Sequence, residues 1–200
     1  CEILNDDGTM ARLPDLIKFS KKHNIKIGTI ADLIEYRSKK EKLIKKISEE
    51  KVNTEFGSMN LIMYSDLLTK NMHLALVKGV IKKNDEVMVR VHEPLSILDF
   101  ISRETSHSWP PLRAIEAINN EEKGVIIFLN YNESQDSITS KLSLKNTALK
   151  KSTDLRNYGI GSQILVDIGV TKMKLLAAPR KMPSMTGYGL QVTEFIENNL

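Results

Sequence analysis

The chain has 200 residues and a formal net charge of +4, and 41% of its residues are hydrophobic, which is ordinary for a globular protein. No apolar run reaches the ~20 residues that a membrane-spanning helix needs, so the sequence excludes such a helix. The single cysteine, Cys1, excludes an internal disulfide and any metal site that requires two thiolates. The first residues include neither an initiator Met nor a secretory signal, so we expect a cytoplasmic chain that begins inside a longer protein.

The first 28 residues have the character of the end of a domain. Pro14 and Asp15 lie where the first turn of a helix favours them, and Asn24 is a suitable stop. Residues 25–27 then alternate like a short strand. A segment this small cannot bury its own apolar face, so we expect its packing partner to lie upstream.

A basic segment follows, in which residues 37–46 hold six of the 29 basic residues. Thr29 and Asp32 have the spacing of a capping box, and apolar residues recur at helical spacing after them. We therefore predict one helix over about 30–50, with 36–51 as a helical linker. The segment could bind phosphate groups or act as a solvated connector. The absence of interleaved aromatic residues favours the connector and gives no support for nucleic-acid binding.

From residue 52 the pattern changes to short strands and helices. Strands are predicted where apolar residues alternate or form a short continuous run, and helices where they recur at helical spacing. The predicted strands are 56–63, 74–78, 86–92, 125–129, 174–176 and 190–192, and the predicted helices are 110–118 and 158–168. The order predicts a mixed α/β (α+β) domain over 52–200, preceded by the helical linker.

Residues 1–12 (CEILNDDGTMAR), followed by 13–16 and 30–34, resemble the last block of 3,4-dihydroxy-2-butanone 4-phosphate synthase, an enzyme of riboflavin biosynthesis. The resemblance implies that residues 1–35 are the end of such a domain and that Glu2 serves its active site. It also implies that the magnesium ligands of the synthase lie upstream, so this fragment alone cannot be the synthase.

The remainder resembles GTP cyclohydrolase II, which is often fused behind that synthase. The matching stretches are 73–79 (HLALVKG), 89–92 (VRVH), 154–165 (DLRNYGIGSQIL) and 187–190 (GYGL). The resemblance implies a cyclohydrolase-like domain over 52–200, a homodimer, and a reaction in which zinc-activated water opens the guanine ring of GTP, releasing formate and pyrophosphate.

The family holds its zinc with three cysteines, and the corresponding positions here are Leu95, Ser106 and Ser108. A leucine cannot coordinate a metal, and a neutral serine hydroxyl is a poor zinc ligand beside a thiolate. His92, His107 and Glu93 are near enough in sequence to improvise a site, although ordinary structural histidines are the simpler interpretation. We therefore expect no zinc.

Other family positions are retained in part. Asp154 and Arg156 match the proton acceptor and the nucleophile of the family, and both could equally be structural. Arg90 and Lys181 match positions that contact the nucleotide phosphates. The glycine-rich stretch of the family is replaced by residues 130–136, a family tyrosine by Lys145, and a polar stretch by residues 177–179. These changes predict a weakened nucleotide pocket.

Three hypotheses follow from the sequence. The first is a zinc-free, cofactor-free domain that supports an upstream synthase by structure, oligomerisation or regulation, with GTP or a pathway metabolite as a possible ligand. The second is an active GTP cyclohydrolase II with an unorthodox site. The third is a binder of phosphorylated ligands or nucleic acid that uses the basic segment. The replaced zinc-ligand positions favour the first hypothesis. We expect no nucleic-acid or membrane partner.

Overall fold

A computed structural model describes residues 2–93, Ser96, Asp99, 109–131, 155–180, Met182 and 185–198, with the backbone alone at some positions of the second and fourth helices. The described part contains a seven-stranded mixed sheet with helices against both of its faces. The helices are α1 (Leu13–His23), α2 (Ile30–Lys40), α3 (Pro111–Asn119) and α4 (Leu155–Ile168). The strands are β1 (Ile44–Thr54), β2 (Gly57–Asp66), β3 (Met72–Lys78), β4 (Glu86–His92), β5 (Gly124–Phe128), β6 (Lys172–Leu176) and β7 (Gln191–Ile196).

The sheet has an antiparallel half and a parallel half. Its strand order is β1-β2-β3-β5-β4-β6-β7, and β1, β2, β3 and β5 pair antiparallel in succession. Strands β5, β4, β6 and β7 pair parallel, so their carboxyl ends meet at one edge. We call β1–β3 the antiparallel half and β4–β7 the parallel half.

Each face of the sheet has its own apolar cluster. The cluster under α4 contains Ile160, Ile164 and Leu165 of that helix together with strand residues such as Tyr64 and Val89. The cluster under α3 contains Ala114, Ile115 and Ile118 with Met59, Ile126 and Trp109. The middle strand β5 is buried along its whole length, which explains its continuous apolar sequence.

The helix predicted over 30–50 is correct only in its first part. The Thr29–Asp32 capping box is present, with both reciprocal hydrogen bonds at 3.1 Å, and α2 begins at Ile30. The helix ends at Lys40, however, and residues 44–54 form the outermost strand of the sheet. Cross-strand pairing of Ile44 with Asp66 and of Val52 with Met59 overrides the weak helical periodicity of this segment.

Each of the other predicted helices and strands is either present in the structure or wrong. The strands and helices predicted from residue 56 onward are all present, with ends shifted by a few residues. The strand predicted at 25–27 is wrong, because Ile25 and Ile27 lie in an irregular connection and are about half exposed. Helix α1 stops at Asn24, whose φ of 51° closes the helix in a left-handed cap. No helix among the described residues is long and apolar enough to cross a bilayer.

Candidate functional site

The carboxyl ends of the parallel strands form the edge where ligands bind in open α/β sheets. Strand β4 ends there at His92, β5 leads there into Leu129 and Tyr131, and β6 leads into Ala177. Strand β3 runs antiparallel to β5, so its first residues, including His73, begin at the same edge. The fold therefore gathers two histidines and a tyrosine at this edge, beside the arginine that the sequence predicted as a phosphate contact.

That arginine, Arg90, is held inside the protein by backbone carbonyl groups. Its side chain is only 6% exposed, and its Nη1 and Nη2 atoms donate to the carbonyls of Leu176 at 2.7 Å and Trp109 at 3.2 Å. Burial, aided by the nearby positive charge of Arg180, lowers the pKa of Arg90 to about 10. Arg90 therefore ties β4 to the end of β6 and to the segment that precedes α3.

Trp109 completes this clamp from the other side. Its indole Nε1 donates to the carbonyl of Ile196 at 2.8 Å, while its own carbonyl accepts from Arg90. The side chain is 9% exposed and lies in the cluster under α3. The sequence analysis assigned no role to Trp109, since nothing in its neighbours along the chain indicates these partners.

His92 lies beyond Arg90 on the same face of β4. Its Nε2 atom is 2.9 Å from the Oδ2 atom of Asp99, and the same oxygen accepts from the amide of Ser96 at 2.8 Å. Both the histidine and the carboxylate are essentially buried. The imidazole is thus engaged in a structural pair, which is the simpler of the two interpretations that the sequence allowed.

His73 lies on the opposite face, among the residues under α4. Its ring is completely buried and packs edge-on against Tyr131, with 5.4 Å between ring centroids. In the described part of the chain neither ring nitrogen of His73 has a hydrogen-bond partner. Burial lowers the pKa of His73 and outweighs the opposing effect of Asp66. The sequence analysis did not single out this residue, although a histidine in an otherwise apolar strand is a usable signal.

The remaining predicted site residues are placed only in part. Arg156 occupies the first turn of α4, and Glu2 is exposed near the start of the chain. The other predicted positions lie outside the described residues; they are Leu95, Ser106, Ser108, Asp154 and Lys181. The structure therefore brings Arg90 and His92 to one edge of the sheet and leaves the predicted zinc and proton-transfer positions undescribed.

The donor set of this chain does not fit the zinc site of three thiolates that the resemblance implies. The sole cysteine is Cys1, which is more than 90 residues along the sequence from the first of the positions in question. Within the described ranges, no three residues of the types His, Cys, Asp and Glu converge to hold a metal ion. The Nε2 atom of His92, the candidate substitute ligand, lies 2.9 Å from the Oδ2 atom of Asp99.

A separate cleft of about 910 Å³ lies between β1, α4 and the turn before β7. Its lining includes Lys42, Lys46, Asp167 and Tyr188, and Arg90, a predicted site residue within the described part of the chain, is not part of it. The Gln163 side chain closes one side, accepting from the Leu43 amide and donating to the Glu41 carbonyl, both at 2.8 Å. Size alone does not make this cleft a reaction site.

Comparison with known proteins places these features in a family. The model of GTP cyclohydrolase II matches residues 45–197, and the model of 3,4-dihydroxy-2-butanone 4-phosphate synthase matches residues 1–36. A 3,4-dihydroxy-2-butanone 4-phosphate synthase of Neisseria meningitidis serogroup B is 45% identical over 197 residues, covering 98% of this chain and 54% of the relative. The riboflavin biosynthesis protein RibBA of Aquifex aeolicus is 41% identical over 209 residues, covering 97% and 52%.

A solved structure gives the same result. The crystal structure of RibBX, a two-domain 3,4-dihydroxy-2-butanone 4-phosphate synthase from A. baumannii, matches with a TM-score of 0.59 and 34% identity. The match covers 99% of this chain and 53% of the solved one, so the chain spans about half the length of the relatives that it matches. The chain therefore belongs to the GTP cyclohydrolase II family, in the arrangement of the riboflavin-biosynthesis fusion proteins, with a synthase-matching segment ahead of the cyclohydrolase-like region.

Proposed function

We propose that this chain is a degenerate, zinc-free cyclohydrolase domain that serves a 3,4-dihydroxy-2-butanone 4-phosphate synthase by structure, oligomerisation or regulation. The observation that carries the proposal is the cysteine count: the region that matches GTP cyclohydrolase II contains none. Hydrolytic zinc sites need three protein ligands and one open position for water. Without thiolates at positions 95, 106 and 108, this chain lacks the ligand set that would lower the pKa of that water.

The clamp around Arg90 supports the same proposal. A phosphate-binding arginine presents its donors to the ligand, whereas here two donor groups are committed to the Leu176 and Trp109 carbonyls. Because Arg90 is only 6% exposed, a nucleotide phosphate could reach its remaining N–H groups only after the side chain is uncovered. In the proposed function Arg90 is therefore a structural residue, retained because the sheet depends on it.

The relatives offer a second line of support. Proteins from Neisseria meningitidis and Photobacterium phosphoreum, 45% and 42% identical to this chain, are both named for the synthase alone. Since the chain corresponds to only 54% of each, the matched part is a companion region within a synthase. By analogy we propose a cytoplasmic homodimer with an upstream synthase domain that uses magnesium and carries Glu2 at its active site.

Zinc content and formate release test the proposal together. The chain, produced in zinc-supplemented medium, is assayed for bound zinc by mass spectrometry and for formate after incubation with GTP. We expect well under one zinc per chain and no formate above background, beside a three-cysteine GTP cyclohydrolase II as the positive control. Stoichiometric zinc together with formate release would overturn the proposal in favour of an active GTP cyclohydrolase II.

A variant in which the three cysteines are restored distinguishes loss of the zinc ligands from loss of the nucleotide pocket. The variant L95C/S106C/S108C returns the three thiolates, but it leaves residues 130–136 and Lys145 as they are. We expect this variant to release no formate from GTP even when zinc is supplied. Formate release would show instead that the rest of the pocket is intact and that only the ligands were lost.

A further inference from the structure

Strand β1 forms an open outer edge of the sheet. It is 11 residues long and, among the residues that the structure describes, pairs on one side only, with β2. Most of its side chains are exposed, and Ile47 near its middle is 53% exposed. A long strand edge with unpaired backbone groups is a template for another strand, so a protein must either cover it or protect it.

The charges of β1 are arranged in two blocks of opposite sign. Lys45 and Lys46 precede Ile47 and Ser48, and Glu49 and Glu50 follow them. The pairing with β2 shifts register between Lys46 and Ser48, so a β-bulge lies at the midpoint between the two blocks. The two blocks are therefore at equal distances from a central irregularity.

The bulge also decides which face each charge occupies. Lys46 and Glu49 pair with Tyr64 and Ile62, which both belong to the cluster under α4. Paired residues share a face, so Lys46 and Glu49 point to the α4 side, and their side chains form an ion pair at 2.5 Å. Lys45 and Glu50 pair with Ser65 and Leu61, which alternate with these residues and so face the opposite side.

We propose that two copies of this chain associate by antiparallel pairing of their β1 edges, about a two-fold axis between Ile47 and Ser48. This axis places Lys46 opposite Glu49 of the partner subunit on one face, and Lys45 opposite Glu50 of the partner subunit on the other. Each contact occurs twice by symmetry, as in any isologous interface. The two seven-stranded sheets become one continuous sheet, with Ile47 of both subunits at the axis.

The charge order identifies a second copy as the occupant. Charged side chains and bulges are also features that protect a strand edge against pairing. Protection alone, however, requires only charges that repel another strand. Here residues 45–50 hold two lysines and two glutamates in blocks that are complementary to themselves under a two-fold rotation, and Lys51, the remaining charged residue of β1, lies opposite Ile44 of the partner subunit. An unrelated strand would lack that complementarity, and in-register parallel pairing of two copies would set like charges directly opposite each other.

Charge reversal on β1 tests this interface by sedimentation of the 200-residue chain. The inference rests on the oligomerisation role proposed above, but the test does not involve zinc or formate, so the two can fail separately. We expect the wild-type chain to be a dimer whose dissociation constant increases with salt. We expect K45E/K46E and E49K/E50K each to weaken the homodimer by ~100-fold or more, because every cross-subunit pair then carries like charges.

Two further combinations of these substitutions test whether the charges pair across the interface. An equimolar mixture of K45E/K46E and E49K/E50K should form a heterodimer, and the fourfold variant K45E/K46E/E49K/E50K should regain the homodimer. Circular dichroism of each variant confirms that it is folded. A monomeric wild-type chain, or a dimer that the reversals leave unchanged, would overturn the proposal.

Cysteine cross-linking locates the axis directly. In a C1S background, I47C should form an intersubunit disulfide rapidly, since its two copies lie only one residue apart along the strands, on either side of the axis. The matched control N53C lies on the same strand, but its two copies would be ~36 Å apart at ~3.3 Å per residue, so it should not cross-link. Equal cross-linking at both positions, or none at position 47, would contradict the proposed register.

Discussion

The antiparallel half of the sheet and the parallel half differ in where they place their charged side chains. In the antiparallel half, β1 carries three lysines and two glutamates in solvent, and those at 45–50 form self-complementary blocks. In the parallel half, Arg90 and the His92–Asp99 pair are buried and bonded to other parts of the same chain. The charges of β1 are exposed to a partner, whereas those of Arg90 and of the His92–Asp99 pair are bonded within the fold.

The two halves meet where β3 pairs with β5, and this junction gives the largest predicted effect. Gly79, just after β3, has a φ of +72°, and an added Cβ there would collide with the Glu122 carbonyl oxygen. Gly79→Ala should therefore lower the free energy of unfolding by more than ~3 kcal/mol, through both steric overlap and backbone strain. Urea denaturation followed by circular dichroism measures the loss.

Gly189, in the turn before β7, is a matched control for this variant. It has the same φ of +72°, but nothing lies within 4 Å of the position that a Cβ would take. Gly189→Ala should cost only the ~1–2 kcal/mol of a left-handed residue. Equal losses for the two variants would show that the junction between the halves is not tightly packed.

The clamp in the parallel half gives the next largest effect. Arg90→Met keeps the apolar stem but removes the donors to the Leu176 and Trp109 carbonyls, which remain buried. We expect a loss of ~2 kcal/mol in the free energy of unfolding, because orphaned buried acceptors cost more than a typical hydrogen bond contributes.

Arg113→Met serves as the control for Arg90, since the Arg113 side chain is 58% exposed and only pairs with Glu116 on α3. Its effect should stay within ~0.5 kcal/mol in the same urea titration. If Arg90→Met proved as mild as Arg113→Met, the guanidinium would not be a clamp, and a ligand-binding role for Arg90 would regain support.

The sequence predicted the parallel half better than the outer edge of the antiparallel half. The alternation of β4 and the apolar run of β5 reflect burial that is imposed along the whole strand, so local pattern suffices there. Strand β1 was missed because its apolar residues Leu43, Ile44 and Ile47 also fit a helical repeat. Its strand character comes from pairing with β2, which no local pattern encodes.

The sequence predicts which residues lie at the candidate site but not what their side chains bind there. The sequence identified Arg90 and His92 by resemblance, yet their partners lie far along the chain or in loops without a local signature. Arg90 bonds to a carbonyl 86 residues away, and the Trp109 indole bonds to one 87 residues away. Such contacts depend on the assembled sheet, so only the structure could show that the arginine is used internally.

The smallest predicted effect concerns pH and the buried His73 at the carboxyl edge, where β3 of the antiparallel half borders the parallel half. Because burial lowers its pKa in the native state, the unfolded chain, with an ordinary histidine pKa of ~6.5, takes up a proton more readily. The contribution of His73 to stability is therefore complete above pH ~6.5 and declines as the pH falls below it. One proton limits the slope to ~1.4 kcal/mol per pH unit.

His73→Phe isolates this contribution, because phenylalanine fills a similar volume against Tyr131 without a titrating group. Free energies of unfolding for both proteins, measured by urea titration between pH 5 and 7.5, should diverge only on the acidic side. There the wild type should lose stability faster than the variant. Parallel curves across the whole range would mean that His73 is protonated as readily in the native protein as in the unfolded chain. The imidazole would then need a partner that stabilises its positive charge at this edge, where the two halves meet. The contrast between exposed charges on β1 and internally bonded groups in the interior would not apply to His73.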